Sequence, residues 1–383
     1  MSALSLFSGC GGDTLGMKNA GLDVKWYSEI NPSFQKTHEA NFPNSKCIGG
    51  DITKIPNEKF KELKGKVKVI FAGFPCQSFS HAGKKRADDT RGQLYLDFVR
   101  ATKNIEPDFI IGENVKGLLS RKTSTGENFI DVIEKAFKDI GYTCEYKLFP
   151  VVKYGVPQQR ERLIIVGWKD PNYVHKWPDE LDVDVSLKNI LEFNMEGTIK
   201  VPKELITKAG VKEESILKGD ITHEQSDAKS RKLAMEAVNS PDPATYKALL
   251  KQAINALDDS VHPYLIDRVK QRDLEYNGKK VGKYGFSFGK RVSPIHCEIV
   301  DITMPSKTII STYDHQPRLF VAQKVKNAYY LRPYTVDELK QIQGFPKDYV
   351  MQGSWKDQVV QLGNAVPPPL IQRIVESMIQ ERC

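Results

Sequence analysis

The chain has 383 residues, 40% of them hydrophobic and 27% charged, with a formal net charge of +8. That balance fits a globular protein of roughly two domains and favours a polyanionic partner. No run of about 18 apolar residues offers a membrane span, and the opening Met1 to Phe7 lacks the basic start and long apolar core of a secretion signal.

Up to about residue 168, apolar strand-like runs alternate with helical patterns. Ala3 to Phe7 is the first expected strand and Val24 to Ile30 the second. Between them, Phe7-Ser8-Gly9-Cys10-Gly11-Gly12 forms a glycine-rich turn at a strand end. Glycines there permit a tight turn and let a ligand approach the backbone. Such a turn serves phosphates, dinucleotides or no ligand at all. No Gly-Lys-Ser or Gly-Lys-Thr follows, which disfavours phosphate cradling. Glu29 lies about 20 residues on, at the end of the second strand, where a carboxylate can take ribose hydroxyls. Asp51, before Ile52, is placed to take an adenine amine. The three features together favour an adenosine ligand.

Val67 to Ala72 is the next strand, and Gly73-Phe74-Pro75-Cys76-Gln77-Ser78 follows it. Ligands bind at the carboxyl ends of strands in open α/β sheets, so Cys76 is a candidate nucleophile. The alternative is a buried structural thiol. Lys84, Lys85 and Arg86 supply positive charge that favours a thiolate. Residues 79–91 carry little apolar content and suit a loop that closes over a substrate. None of the six cysteines forms a C-x-x-C pair, so no metal site is expected.

A helical stretch from Leu94 to Ile105 leads to the strand Phe109 to Gly112. Glu113, immediately after it, is expected to be partly desolvated with a raised pKa, suiting proton donation or hydrogen bonding to a ring nitrogen; a helix-capping acid is the alternative. Phe129, Val132, Ile133, Ala136, Phe137 and Ile140 recur at helical spacing and stop at Gly141. Cys144 to Phe149 and Leu163 to Gly167 read as an antiparallel pair at the sheet edge. Gln158-Gln159-Arg160-Glu161-Arg162 precedes the second of these. Arginines at i and i+2 on an extended segment point the same way, suiting an anion or carbonyl oxygen, or guarding a sheet edge.

From 170 to about 325 the chain is polar and proline-punctuated, with expected helices at 228–238 and 244–257 and short strands around 295–302 and 308–312. From Asp267 to Arg291, eight Lys/Arg face three acids, interleaved with Tyr276, Tyr284, Phe286 and Phe288. That pattern suits phosphate contact with base packing, or else a solvated hairpin. In the tail, Thr335-Val336-Asp337-Glu338 is a capping box for a helix stopped by Gly344 and Pro346. An amphipathic helix from Leu370 to Ile379 closes the chain.

In this order, Phe-Ser-Gly-Cys-Gly-Gly, Pro-Cys-Gln, Glu-Asn-Val, Gln-x-Arg-x-Arg and Gln361-Leu362-Gly363-Asn364-Ala365-Val366 strongly resemble the DNA (cytosine-5) methyltransferase family, over about 3–168 and 330–380. The resemblance implies an α/β fold: a doubly wound, mainly parallel sheet of the S-adenosylmethionine-dependent methyltransferase type, with a smaller irregular target-recognition domain. The expected division is 1–168 plus about 355–383 for catalysis and cofactor, and about 169–354 for recognition. Cys76, Glu113, Arg160 and Arg162 are the implied catalytic residues. Cys76 attacks carbon 6 of a flipped cytosine, Glu113 holds or protonates nitrogen 3, and Arg162 with Arg160 binds the ring carbonyl. Phe7, Gly9, Gly11, Glu29, Asp51, Ile52, Pro75, Leu94 and Asn364 match positions that contact S-adenosylmethionine. Gln77, Ser80, Asn114 and Val115 match substrate-binding positions.

Ser5 stands where many members carry aspartate, while Cys76, Glu113 and Arg162 conform, so nothing argues for an inactive copy. The implied protein is a compact monomer without an appended regulatory domain. It acts in the cytoplasm (of the host, for a viral source) on duplex DNA, with a cognate restriction endonuclease as a further partner. A tRNA cytosine-5 methyltransferase shares the catalytic set. A non-catalytic DNA-binding subunit leaves the intact catalytic set unexplained, and a nicotinamide-dependent oxidoreductase leaves the cysteine loop unexplained.

Overall fold

The computed structural model describes residues 1–75, 94–123, 125–195, 198–201, 203–208, 210–219, 275–276, 279–280, 298–311, 313 and 319–379. Cys76, Gln77 and Ser80, the expected helices at 228–238 and 244–257, and most of the basic stretch 267–291 lie outside these residues.

Contacts divide the chain into two compact units. The first comprises Met1–Val185, Lys307–Ser311 and Leu339–Cys383; the second comprises Ser186–Ser306 and Thr312–Glu338. The first unit thus keeps 169–185, 307–311 and 339–354, which the expected division gave to recognition. Aromatic packing explains the first of these. Tyr173 stacks edge-on against Phe109 and Trp168, and its hydroxyl donates to the Met378 carbonyl at 3.2 Å.

A seven-stranded sheet forms the first unit. Its strands are β1 (Ser2–Leu6), β2 (Asp23–Ser28), β3 (Lys46–Gly49), β4 (Val69–Ala72), β5 (Phe109–Asn114), β6 (Thr143–Pro150) and, after the short β7 (Gln158–Gln159), β8 (Glu161–Trp168). Their order is β3-β2-β1-β4-β5-β8-β6. β1 to β5 run parallel, and β8 lies antiparallel between β5 and β6. The expected edge pairing of the last two strands is present. The strand order reverses between β1 and β4, which makes their carboxyl ends the topological switch point where ligands sit.

Strand alternation sends side chains to both faces. Ile70 and Ile110 pack on one face with Phe98, Ala101 and Ile105 of α4 (Leu94–Ile105) and with Ile133 and Phe137 of α5 (Phe129–Lys138). Val69, Phe71, Phe109 and Ile111 face the other way. There they meet Met17 of α1 (Gly12–Asn19) and a final helix, Pro368–Ile379. The central strands β1, β4, β5 and β8 are buried on both sides, which explains their near-continuous apolar runs.

The remaining helices of this unit include α2 (Pro32–Asn41) and α3 (Asn57–Lys61). Asn31 caps α2 by accepting from Ser33 N at 2.9 Å, and Pro32 occupies the first turn, where a missing N–H costs nothing. Val336–Ile342 begins at the expected capping box: Thr335 Oγ1 accepts from Glu338 N at 3.2 Å, and Glu338 accepts from Thr335 N at 2.9 Å. No described helix is long and apolar enough to cross a membrane.

The second unit has its own sheet. Leu319–Val325 pairs antiparallel with Ala328–Arg332, which also takes Ile199–Val201. Arg332 is its largest buried side chain. The guanidinium forks onto Glu338 at 2.7 and 2.6 Å and reaches the Glu192 carbonyl at 2.7 Å. Of the basic stretch, Glu275–Tyr276 and Lys279–Lys280 form an antiparallel two-stranded pair.

Two strand expectations are corrected. The strand expected to end at Gly112 runs on to Asn114, because Ile164 and Leu163 of β8 supply ladder partners for Glu113 and Asn114. Among 308–311 no strand forms. Side chains satisfy that backbone instead: Ile309 N donates to Gln158 Oε1 at 3.0 Å, and Ile309 O accepts from Arg160 at 3.0 Å.

Candidate active site

The glycine turn leaves β1 with Phe7, Gly9 and Gly11 all at positive φ, 56°, 55° and 89°. Phe7 is the strained member, since its Cβ disfavours that region. A Cβ on Gly12 would lie 2.2 Å from the Val366 carbonyl oxygen, and one on Gly11 2.9 Å from the Tyr349 hydroxyl. Those glycines are required by the tail that closes over them, and Tyr349 donates its hydroxyl proton to the Cys10 carbonyl. Gly9 differs: a Cβ there would meet nothing within 4 Å, so its backbone faces open space. Beside it Ser8 Oγ, in a residue 4% exposed, has no partner among the described residues. An open glycine cradle with a buried, unpaired hydroxyl is what a polar ligand at this turn requires.

Glu29 is buried at the end of β2. Its carboxylate accepts from Gly9 N and from Asn31 N, each at 2.8 Å. Burial pushes its pKa up, and the backbone donors pull it back. The carboxylate therefore fixes the turn. Ile30, next in sequence, is 67% exposed, an apolar surface at the sheet's ligand edge that sequence reasoning passed over as the last strand residue. Asp51 caps the 3₁₀ turn Ile52–Lys54, accepting from Thr53 N at 3.1 Å and Thr53 Oγ1 at 2.7 Å; the Thr53 hydroxyl bond holds its pKa down. Leu94 opens α4, half-buried against the core. Asn364 is exposed at the end of the helix Trp355–Asn364, two residues before Val366, which packs on Gly12. These groups fit an adenosine with a charged tail.

The second cluster lies at the ends of β4, β5 and β8. Glu113 and Arg162 form an ion pair at 2.7 Å, each side chain 11% exposed. Burial raises the Glu113 pKa and the Arg162 charge offsets part of that rise. A Cβ on Gly73 would lie 3.6 Å from Glu113 Oε2 and 3.8 Å from the Phe7 carbonyl, so both clusters share one wall. Asn114, expected to touch substrate, donates to the Phe74 carbonyl at 3.1 Å and accepts from Val115 N at 2.9 Å. It thereby braces the peptide that leads through the half-buried Pro75 to Cys76. Val115 is 38% exposed at this mouth.

The two arginines do not act side by side. Residue 160 falls in a break between β7 and β8, where Arg160 N bonds Gln158 O at 2.9 Å, and strand alternation is lost. Arg162 meets Glu113. Arg160, 3% exposed, donates instead to the Ile309 and Gly363 carbonyls, both at 3.0 Å. It ties the returning segments to the sheet; Nη1 also reaches Gln158 Oε1 at 3.4 Å, and Nε has no partner among the described residues.

Asp13, on α1 behind the turn, was not singled out from the sequence. It is 2% exposed and accepts from the Ser5 hydroxyl, and burial pushes its carboxyl from 3.8 up to about 7. Between those values the unfolded chain has released this proton and the folded chain retains it. Stability is therefore fully present below the ordinary value. It falls as pH rises toward 7, by roughly 1.4 kcal/mol per unit. Asp13→Asn is expected to remove this slope. Urea unfolding of both proteins at pH 5 and pH 7 checks it: wild type should lose stability relative to the variant, and parallel behaviour would contradict the assignment.

A doubly wound sheet with an antiparallel last pair, an open glycine cradle and acidic residues on the next two strand ends defines an S-adenosylmethionine-dependent methyltransferase. A family model described as C-5 cytosine-specific DNA methylase matches residues 1–380. The chain belongs to that family and is a DNA (cytosine-5)-methyltransferase using S-adenosylmethionine. It is 29% identical over 386 residues to the Type II methyltransferase M.Eco47II of Escherichia coli, covering 99% of this chain and 78% of that protein. It is 40% identical over 170 residues to the Type II methyltransferase M.FnuDI of Fusobacterium nucleatum, covering 44% of this chain and 47% of that one. Among solved structures, a putative DNA modification methyltransferase encoded in an E. coli prophage aligns with a TM-score of 0.59 at 21% identity, and the S. pombe Dnmt2 methyltransferase with 0.60 at 15%. Each covers at least 99% of both chains. At those identities the likeness shows the fold.

Proposed function

We propose that the chain methylates cytosine at carbon 5 within a specific duplex DNA sequence, through a covalent bond between Cys76 and carbon 6 of a base turned out of the helix. The Cys76 thiolate adds to carbon 6, and its electron pair moves the ring's density to carbon 5. Glu113 hydrogen-bonds or protonates ring nitrogen 3, making carbon 6 more electrophilic. Arg162 holds the ring carbonyl oxygen and, through Glu113, keeps both groups oriented. Asn114 holds the Phe74 carbonyl, so that the segment after Pro75 starts from a fixed point. S-adenosylmethionine supplies an electrophilic methyl group. Carbon 5 bonds that methyl group as S-adenosylhomocysteine leaves. The carbon 5 proton then passes to water, and its electron pair restores the ring double bond as the carbon 6–sulfur bond breaks. Cys76 departs as thiolate, and any proton taken by nitrogen 3 returns to Glu113. Glu113 is also the wall against which the extruded base rests, which requires the base to leave the stack.

The observation that carries this reading is the buried Glu113–Arg162 pair, 2.7 Å apart beside Gly73. Phe7, Gly9, Gly11, Glu29, Asp51, Ile52, Pro75, Leu94 and Asn364 hold the cofactor, joined by Ser8 and Ile30. The second unit, with the basic stretch 267–291, reads the DNA. The Type II names of the relatives support a cognate restriction endonuclease as partner, and the compact family supports a monomer acting in the cytoplasm.

Transfer of labelled methyl to unmethylated duplex DNA and to tRNA in parallel tests the reading. The expected result is label in DNA alone, in 5-methylcytosine confined to one short sequence. Label in tRNA alone would keep the chemistry and change the substrate. Label in neither would favour a non-catalytic DNA-binding subunit.

A further inference from the structure

The turn that carries Asp51 and Ile52 is short. Three residues of 3₁₀ helix, Ile52–Lys54, give two turn bonds, Lys54 N to Asp51 O at 3.0 Å and Ile55 N to Ile52 O at 3.2 Å, before α3 begins at Asn57. Such a turn has little intrinsic rigidity. Burial of Ile52 and Ile55 in the core anchors it, and Arg100 of α4 holds its carbonyls from outside. Arg100 Nη2 donates to the Ile52 carbonyl and Nη1 to the Ile55 carbonyl, both at 2.7 Å. Nη1 also reaches Asn57 Oδ1 at 3.0 Å. Asp97, one turn earlier on α4, takes Nε at 3.1 Å and Nη2 at 2.9 Å. The guanidinium has five N–H groups, and these five contacts use all of them. Its flat face lies 5.0 Å from the Phe60 ring centre on α3. The side chain is 27% exposed, so the site is shielded without being sealed.

We propose that Arg100 is a positioning residue for the adenine end of the cofactor site, acting through the Ile52 and Ile55 carbonyls. Leu94, on the same helix, lines the cofactor directly, so α4 fixes two walls of one site. A planar fork is needed because two carbonyls and a carboxylate are bridged at once; lysine offers a point charge with three donors. The inference rests on the reading that Asp51 and Ile52 meet the adenine.

The test is equilibrium binding of S-adenosylhomocysteine and of adenosine to wild type, Arg100→Met, Arg100→Lys, Asp97→Asn and Asp51→Ala, with kcat and the KM for DNA measured at saturating S-adenosylmethionine. Arg100→Met is expected to weaken both probes by the same factor, about tenfold or more, as loss of an outer support does elsewhere. Its kcat and KM for DNA should stay close to wild type, and Arg100→Lys should recover part of the loss. A folded Arg100→Met with wild-type affinity overturns the proposal, as does one that loses S-adenosylhomocysteine but not adenosine. Should Arg100→Met not fold, Asp97→Asn keeps Arg100 but loosens its aim, and must weaken both probes in the same proportion; unchanged affinity there sinks the idea. Asp51→Ala separates the two levels. If it leaves both probes unaffected, the adenine reading itself is wrong; if it weakens them while Arg100→Met does not, only the role of Arg100 falls.

Discussion

Glu113→Gln is expected to lower kcat by about 10²- to 10⁴-fold, the usual contribution of a positioned acid or base. Glutamine keeps the length and shape of the side chain, so the base pocket is preserved. It cannot deliver a proton to nitrogen 3, and its amide is far less able to stabilise charge developing there. Binding of S-adenosylhomocysteine should stay near wild type, because the carboxylate lies across Gly73 from the glycine cradle and touches none of its groups. A second effect accompanies the first. Arg162 loses its counter-charge in a site only 11% exposed, and breaking a buried pair costs about 3–5 kcal/mol before any relaxation. The rate is therefore to be measured in a single turnover on unmethylated DNA, well below the variant's melting temperature. A kcat within threefold of wild type in folded protein would remove Glu113 from the chemistry.

Much of this site is legible in the sequence because each functional group follows an apolar strand. Val69–Ala72 and Phe109–Asn114 are buried throughout, and runs of that kind stand out in any window. Leu94–Ile105 and Phe129–Lys138 have their apolar residues on one face, and both helices are where the spacing puts them. Helices α1 and α2 are less visible. Gly12 and Gly16 interrupt α1, and they are there because the tail's backbone approaches within contact; α2 is largely polar and is announced by its Asn-Pro start alone.

The division of labour between Arg160 and Arg162 is hidden for a different reason. Alternation along a strand predicts a shared direction, and a one-residue break in pairing cancels it. Nothing local marks that break. It exists because 307–311 and Gly363, remote in sequence, offer carbonyls that need donors. Asp13, Arg100 and Tyr349 escape notice likewise, since their partners are distant or backbone. The acidic residues Glu29 and Asp51 are found by position, but their bonds to Gly9 N and Thr53, which give them a scaffold role, are not legible in the sequence.

The largest effect is expected at Cys76. Cys76→Ala should reduce methyl transfer by on the order of 10⁴-fold or more, as loss of a covalent nucleophile does. In the proposed route, addition to carbon 6 is what creates the nucleophilic carbon 5, so loss of the thiol removes the step that activates the ring. Cys76→Ser should fare little better, since a hydroxyl ionises far less readily than a thiol. S-adenosylhomocysteine and duplex DNA should still bind, since Cys76 contributes reactivity more than contact area. The decisive measurement uses a duplex with 5-fluorocytosine at the target. Once carbon 5 carries methyl and fluorine it has no proton to lose, so Cys76 cannot be expelled and the protein stays joined to the DNA. Wild type should then show an adduct that survives denaturing gel electrophoresis and carries one methyl group by mass, with Cys76→Ala showing none. An adduct in the alanine variant would place the bond on another residue. Full methyl transfer with no adduct in wild type would replace the covalent route by direct displacement, leaving Glu113 and Arg162 to activate the ring alone.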